Sequence, residues 1–454
     1  MASTYLQRTQ GSATNRKKMT LSMWFKTSES GIRDYQLWET YASPSDRITM
    51  YIDSSDQIHW YDAGASVNVA TNRKFRDCNG WYHIVWQIDT TESTASNRIK
   101  LYVNGVQETS FSEATYYSLD VNTASGTSSY TNYIGKYGGN TNNDFNGSMS
   151  HINYVDGTAY DATAFGQYDA NGVWTIKTSP SVTYGTNGFF ILKDGNSVTD
   201  QSGNSNNFTV ASGTLTKTED SPSNVFATMN PLGNYVASTT LSNGNNTVAM
   251  TTSKGGNLST IACTGGKYYA EMKVATMPTD SRFHIGIMPH PVVNADDPIN
   301  TGNNGIMLSG FNAVIYANSG SGSAILNNFY GNATGRFSGT PILGCAVDLS
   351  SATKTMAISI NGAWITGSNT TDASFSNALK VDISTPVALE DDWFFGCGSG
   401  NGSGTTGIYN WNFGNGYFGT TAVSSAGTNA SGIGIFEYDV PTGYTALSTK
   451  GLNL

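Results

Sequence analysis

The chain has 454 residues, of which 13% are charged and 12% aromatic, with 50 glycines and a formal net charge of -9. The acidic balance argues against a nucleic-acid partner, which needs a basic stripe, and the longest apolar runs, such as Trp81 to Trp86 and Phe189 to Leu192, are strand-length, so no membrane insertion is expected. The length exceeds one ordinary β-sandwich and predicts two domains of roughly 200 residues each.

Charged residues fall well below the usual ~25%, and Asn, Ser, Thr and Gly take their place. No stretch of a dozen residues keeps a helical apolar period, whereas period-2 stretches recur throughout. The predicted class is therefore all-β, with two tandem antiparallel β-sandwiches. The start, Met1-Ala2-Ser3-Thr4-Tyr5, has neither a charged beginning nor an apolar core, so it does not read as a signal peptide. Cys78, Cys263, Cys345 and Cys397 are far apart and form no C-x-x-C pair, which removes the usual metal spacing. Cys345 and Cys397 lie in apolar strand patterns and read as buried thiols. A chain made in a reducing cytoplasm, with no need of disulfides, is the expectation.

The first module is expected over 1–185. Met19 to Lys26 alternates, with Leu21, Met23 and Phe25 on one face. Arg47 to Ile52 and Gln57 to Tyr61 predict a hairpin around Asp53-Ser54-Ser55-Asp56. Trp81 to Asp89 is followed by Asn97-Arg98-Ile99-Lys100-Leu101-Tyr102-Val103-Asn104-Gly105-Val106, an alternating strand that ends in Asn-Gly. Both turn residues tolerate the positive φ of a type I′ turn, so this is a strong hairpin signal. Tyr133 to Lys136 and Phe145 to Tyr154 close the sandwich.

A joining region is expected over 186–234, with strands at Gly188 to Leu192 and Asn207 to Val210 and a linker over Thr218 to Asn234. The second module fills 235–454. Its strands include Lys267 to Val274, Phe283 to Met288 and Gly344 to Leu349, and Tyr409 to Gly414 comes later. About 250 residues after the first, the hairpin phrase recurs as Lys354-Thr355-Met356-Ala357-Ile358-Ser359-Ile360-Asn361-Gly362-Ala363. The Gly/Ser/Asn stretches at 317–332 and 397–407 read as rim loops.

Several of these residues carry a resemblance. Asn15 to Trp24, Phe75-Arg76-Asp77 with Gly80 to Val85, the run Asp89 to Val106, and Phe145-Asn146-Gly147 through Asp156-Gly157-Thr158-Ala159 to Phe165-Gly166 resemble the laminin-G-like, concanavalin A-like lectin/glucanase domain of tailed-phage structural proteins. Gly266 to Glu271, Ile285-Gly286-Ile287, Gly344 to Leu349, Asn412-Phe413-Gly414 and Pro441 to Leu447 are similar to a SPRY-like (B30.2-type) sandwich. Tyr268 and Tyr269 stand where that pattern carries one aromatic two positions past Gly-Lys, and the segment around Pro289-His290-Pro291 and Asp296-Asp297-Pro298 matches nothing in it. The pair in this order, joined by Phe226 to Leu232, looks like an arrangement of bacteriophage virion proteins. The resemblance implies a fibre or decoration protein on the head or tail surface, made in the host cytoplasm. Its implied partners are other virion proteins, host surface glycans and further copies of itself, a trimer being the expectation by analogy with fibres, although no heptad segment enforces one.

The residues give little support for chemistry. A glucanase of this fold needs two carboxylates ~5–9 Å apart, and no E-x-D-x-x-E pattern is present. Glu390-Asp391-Asp392 reads as a solvated loop, and Asp296-Asp297 as a turn. His59, His83, His151, His284 and His290 do not pair at short spacing and read as structural. Neither a nucleophile elbow nor a phosphate loop occurs; Gly320-Ser321-Gly322 has no following lysine or helix. The chain is therefore expected not to be an enzyme. No cofactor is expected; the resemblance leaves room for calcium, held by loop carboxylates and carbonyls, with Asp120, Asn143 and Asp144 in suitable loops but in no Asp-x-Asp-x-Asp or EF-hand pattern.

Glycan binding is the functional expectation. Sugars stack on exposed aromatics and bond to amides and carboxylates. Trp38, Tyr41, Tyr61, Tyr116, Tyr117, Tyr130 and Tyr137 are read as loop aromatics, with Asn140, Asn142, Asn143 and Asp144 beside Tyr137. The candidate binding residues are Tyr116, Tyr117, Tyr137, Asn143 and Asp144, while Trp24, Trp81 and Trp86 fit the core. Two other readings stay open: a decoration protein with no sugar site, and a glycan depolymerase.

Overall fold

The computed structural model describes residues 4–453 except 32–33, 140–142, 194–196, 234–238, 251–254, 290–304, 318–323, 327–336, 368, 385–391 and 400–405. The described residues are nearly all β-strand and loop, and the chain divides into two compact units, with the boundary along the chain at residues 217–224.

In the first unit the strands are β1 (Tyr5–Thr9), β2 (Lys18–Thr27), β3 (Tyr35–Ser43), β4 (Asp46–Ile52), β5 (Gln57–Asp62), β6 (Val67–Lys74), β7 (Tyr82–Asp89), β8 (Ile99–Val103), β9 (Val106–Gln107), β10 (Phe111–Thr115), β11 (Thr131–Ile134), β12 (Gly147–Asp156), β13 (Gly166–Tyr168), β14 (Trp174–Ile176), β15 (Phe189–Ile191) and β16 (Thr209–Ser212). They form an eight-stranded sheet, β10-β6-β5-β4-β3-β11-β1-β16, and a six-stranded sheet, β15-β12-β2-β7-β8-β9. Neighbours in both sheets are antiparallel.

Leu21, Met23 and Phe25 of β2 point into the core between the sheets, as their period predicts, and meet Ile48, Met50 and Ile52 of β4 there. Trp38, Trp60 and Trp86 stack through this core at centroid separations of 5.7 and 5.5 Å. The outer face of the six-stranded sheet is not bare. Segment 157–186 covers part of it, with Ala162, Phe165 and Trp174 packed on Val85 and Val155.

The strands expected in a joining region belong to the first sandwich. β15 pairs with β12, and β16 pairs with β1. Phe226 to Met229, expected in a linker, is built into the second unit: Phe226 bridges Ser448, Met229 bridges Ser259, and Ala227 donates to the Leu447 carbonyl at 2.9 Å. Short apolar runs seek the nearest unpaired edge and core, which a linker reading cannot foresee.

The second unit has a ten-stranded sheet built around Lys267–Thr276, Ile342–Asp348, Thr355–Ile360 and Gly407–Asn412, and a six-stranded sheet around Phe283–Pro289 and Trp393–Ser399. Its main core lies between them, and all three of its cysteines are buried free thiols. A second, smaller core lies on the outer side of the ten-stranded sheet, where Phe436, Val440 and Tyr444 pack on Tyr269, Ala346 and Trp364.

Both predicted Asn-Gly hairpins form. Val103 pairs with Val106 and Ile360 with Ala363, and the turn angles are φ 47° and 81° at Asn104-Gly105 and 49° and 82° at Asn361-Gly362. Each asparagine also ties its turn to the preceding strand. Asn104 Oδ1 accepts from the His83 N–H at 2.8 Å, and Asn361 Oδ1 accepts from the Ile342 N–H at 2.9 Å. The hairpin predicted at Asp53 to Asp56 is present between β4 and β5.

Candidate functional site

The outer face of the eight-stranded sheet carries the site. Strand alternation sends Ile48, Met50 and Ile52 inward and Arg47, Thr49 and Tyr51 outward; in β5 it sends Ile58 and Trp60 inward and His59 and Tyr61 outward. Antiparallel register then sets Glu39, Thr49, Tyr61 and Asn68 in one row across four strands. Tyr51 and His59 form the neighbouring row with Gln36, their rings stacked at 4.5 Å.

The segment after β11 lies along this face. Gly135 donates to the Leu37 carbonyl at 3.1 Å, Gln36 donates to the Asn143 carbonyl at 2.9 Å, and the Gly138 backbone rests on Tyr41. A Cβ at Gly138 would sit 2.7 Å from the Tyr41 ring, so only glycine allows that approach. The result is an open cleft of about 260 Å³ lined by Asp34, Gln36, Arg47, Thr49, Tyr51, Tyr61, Asn68, Tyr137 and Asn143. The Arg47 guanidinium sits 5.3 Å from the Tyr61 ring centroid and 5.0 Å from that of Tyr137, and so fixes both rings at the cleft wall. Aromatics continue away from the cleft edge to edge: Tyr137 to Tyr41 at 6.0 Å, Tyr41 to Tyr133 at 6.5 Å, and Tyr133 to Tyr5 at 6.2 Å.

Beneath this wall lies Glu39, which is fully buried. Its Oε2 accepts from the Gly138 N–H at 2.5 Å, and its Oε1 has no hydrogen-bond donor among the described residues, Arg47 Nε standing 3.8 Å away. Burial pushes the carboxyl up to about 8, against the smaller opposing pull of the Gly138 N–H and Arg47. Burial likewise pushes the Tyr51 phenol up to about 12, with Asp34, Asp53 and Glu113 adding to the shift. His59 Nε2 lies 3.2 Å from Asp53 Oδ2.

The candidate residues separate into two groups. Tyr137 and Asn143 meet in the cleft. Asp144 is next in sequence but is buried. Tyr116 is partly buried against the core, and Tyr117 is 1% exposed. The Tyr117 hydroxyl accepts from Trp60 Nε1 and donates to Asp62 Oδ2, each at 3.0 Å, so its ring is a core element and offers no face to a ligand. Trp38 is a strand residue of the core, not a loop aromatic. Asn140 and Asn142 lie outside the described residues. Gln36, Thr49, Tyr51 and Asn68 were missed. Their signal was available, since each occupies the outward phase of a strand whose inward phase is apolar.

Of the calcium candidates, Asp120 is ion-paired with Lys17 at 3.0 Å on a different loop from Asn143 and Asp144. Among the described residues no group of three or more His, Cys, Asp or Glu side chains converges. Glu390, Asp391, His290 and Asp296-Asp297 lie outside the described residues, and Asp392 is exposed. His83 is buried between Trp24, at 4.6 Å, and Trp174, at 5.9 Å. Its Nδ1 accepts from Trp174 Nε1 at 2.9 Å, which leaves Nε2 to donate to Ser22 Oγ at 2.9 Å. Burial first, and His151 second, push it down to about 3, so it is held neutral in one tautomer.

The first unit is a two-sheet antiparallel β-sandwich with a tyrosine-lined cleft on one outer face. Residues 1–162 match the family described as the concanavalin A-like lectin/glucanases superfamily. No curated protein matches the chain. Among solved structures, the SPRY domain of human HERC1 is similar at 12% identity, covering 40% of this chain and 96% of that one, with a TM-score of 0.29. The heptameric SAP-like pentraxin of Limulus polyphemus is similar at 16% identity, covering 35% and 71%, with a TM-score of 0.26. Domains LG4-5 of the mouse laminin alpha1 chain are similar at 10% identity, covering 87% and 84%, with a TM-score of 0.27.

Proposed function

We propose that the first unit is a glycan-binding module and that the chain recognises carbohydrate without catalysing its cleavage. The observation that carries this reading is the cleft at Tyr61 and Tyr137, two rings steadied by Arg47 above polar Gln36, Thr49, Asn68 and Asn143. The rings give a sugar's apolar face a partner, and the amides and hydroxyl bond to its hydroxyls. The match of residues 1–162 to a lectin/glucanase family supports it. Glu39, the carboxyl beneath the cleft wall that burial pushes up to about 8, is fully buried and absent from the lining, which favours binding over chemistry.

The resemblance of the two-module arrangement extends this reading. The chain would sit on the surface of a bacteriophage virion, as a fibre or decoration protein, and meet host glycans there as an oligomer.

A glycan array of the purified chain, with and without calcium, beside Tyr137→Ala and Tyr61→Ala, tests the proposal. Specific hits lost in both variants are expected. A blank array from a folded sample overturns glycan binding and favours a purely structural virion role. Release of reducing ends from a bound glycan overturns the non-catalytic part.

A further inference from the structure

We propose that the first unit has a second saccharide site, on the outer face of the opposite sheet, which takes a neutral hydroxyl-rich sugar ring. It goes beyond the tyrosine cleft and shares no residue with it.

On the six-stranded sheet, register places Gln87 of β7 opposite Lys100 of β8, and Val85 opposite Tyr102. The inward phase of β8 is Ile99, Leu101 and Val103, all core. Lys100 and Tyr102 therefore face away from the core, toward the segment that covers this sheet. That segment stops short of closing over them. Ala159, Tyr160, Asp161, Thr163 and Ala164 leave an open cleft of about 490 Å³ against Gln87, Lys100 and Tyr102, the size of a one- or two-ring sugar.

The lining is held in place. The Tyr102 hydroxyl donates to Gln87 Oε1 at 3.0 Å, and Gln87 Nε2 reaches the Ala159 carbonyl at 3.5 Å. The Tyr160 N–H donates to Thr20 Oγ1 at 2.7 Å, and its hydroxyl accepts from the Thr183 N–H at 3.2 Å. Asp161 Oδ1 accepts from the Thr163 N–H and hydroxyl at 2.9 and 2.5 Å, which sets the short turn at Ala162–Ala164. Asp161 Oδ2 and Lys100 Nζ have no hydrogen-bond or ion-pair partner among the described residues.

The charge decides the class of ligand. The cleft holds one ammonium and one carboxylate, so its lining is neutral overall. An anion would satisfy Lys100 and be repelled by Asp161, and a cation would do the reverse. A polyol satisfies both at once, because a hydroxyl accepts from Lys100 and donates to Asp161. Tyr102 and Tyr160 also line the cleft and add aromatic surface that an isolated pair of ions would lack.

The test is an array of neutral, N-acetylated and uronic-acid oligosaccharides, probed with the full chain, Lys100→Met, Asp161→Asn and Tyr137→Ala. Thermal melts check that each variant is folded; where Lys100→Met melts early, Asp161→Asn carries the comparison. The expected result is a set of neutral glycans whose signal falls roughly tenfold in Lys100→Met and in Asp161→Asn. That set survives in Tyr137→Ala and is insensitive to salt up to about 0.5 M. Hits that all vanish in Tyr137→Ala and persist in the two other variants overturn the second site while leaving the first standing. Lys100-dependent hits confined to uronic acids and weakened by salt overturn the neutral class. A blank array from folded protein overturns both sites.

Discussion

Each unit buries a glutamate in a mid-sheet strand, and the two are treated differently. Glu271, in Lys267–Thr276 of the second unit, is fully buried and accepts from four donors: the Tyr269 hydroxyl at 3.1 Å, Asn412 Nδ2 at 3.2 Å, and the Glu437 and Tyr438 N–H groups at 2.9 Å each. It fastens the C-terminal segment to the outer side of its sheet, and that side is closed by a small apolar core. Glu39 has one backbone donor and a distant Arg47, and its side of the sheet is an open tyrosine-lined cleft. A saturated buried carboxylate marks a face committed to structure. A half-satisfied one lies where the fold has kept a surface open, since a buried polar group costs free energy unless something else requires it.

The largest effect that sharpens this contrast is Glu271→Ala. Four donors lose their acceptor inside a protein core, and a loss of about 3–5 kcal/mol is expected. Guanidinium denaturation measures it, and amide exchange should show protection lost from the 436–440 segment. A cost below about 1 kcal/mol would break the assignment of Glu271 as a fastener.

Next in size are the hairpin glycines. A Cβ at Gly105 would fall 2.3 Å from the Trp174 ring, and one at Gly362 would fall 2.4 Å from the Tyr438 ring, both at positive φ. Gly105→Ala and Gly362→Ala are each expected to cost about 2–3 kcal/mol. Denaturant midpoints of the two variants, read beside wild type, check this. Asn104→Ala and Asn361→Ala, which keep the glycine, should cost less.

The two glutamates also predict responses of the same sign over overlapping pH ranges. The folded state holds the Glu39 proton up to about pH 8 and the Glu271 proton up to about pH 7, whereas an unperturbed glutamate releases it near 4.5. Between those limits the folded state binds more protons than the unfolded one, so stability falls as pH rises. That stability is fully present below about pH 4.5, is lost progressively above it, and is spent by about pH 8. Glu39→Gln should flatten the upper part of the decline, and Glu271→Gln the part ending near pH 7. Exchange protection of peptides from β3 and from Lys267–Thr276, followed against pH, separates the two.

The smallest stability effect should accompany a clear loss of function. Asn68→Ala lies at the cleft in a partly exposed strand position, and should change the melting free energy by less than about 1 kcal/mol. Glycan binding should nevertheless weaken about tenfold, because a hydrogen-bonding amide is removed from the lining. Equal binding by Asn68→Ala and wild type would move the site away from this face.

The all-β class, the two Asn-Gly hairpins, and the alternation of β2, β4 and β5 could be read directly from the chain. These features are local: a two-residue turn and a period of two need no knowledge of distant residues. The limits of that reading show at particular side chains. Tyr117 has polar neighbours on its C-terminal side and reads as exposed, but its hydroxyl bonds to Trp60 and Asp62, more than fifty residues earlier in the chain. Phe189 to Ile191 and Thr209 to Ser212 have the composition of a joiner, yet they complete the edges of the first sandwich.

Tyr137 and Asn143 show the same division from the other side. Their polarity was visible in sequence, but their meeting with Tyr61, Thr49 and Asn68 came from antiparallel register and from the chain after β11 lying on Tyr41. Composition and periodicity determined that this protein is a pair of β-sandwiches rich in tyrosine. Which tyrosines reach solvent was decided by the tertiary structure alone, because each strand has two faces and only the packing of sheet on sheet chooses which of them is buried.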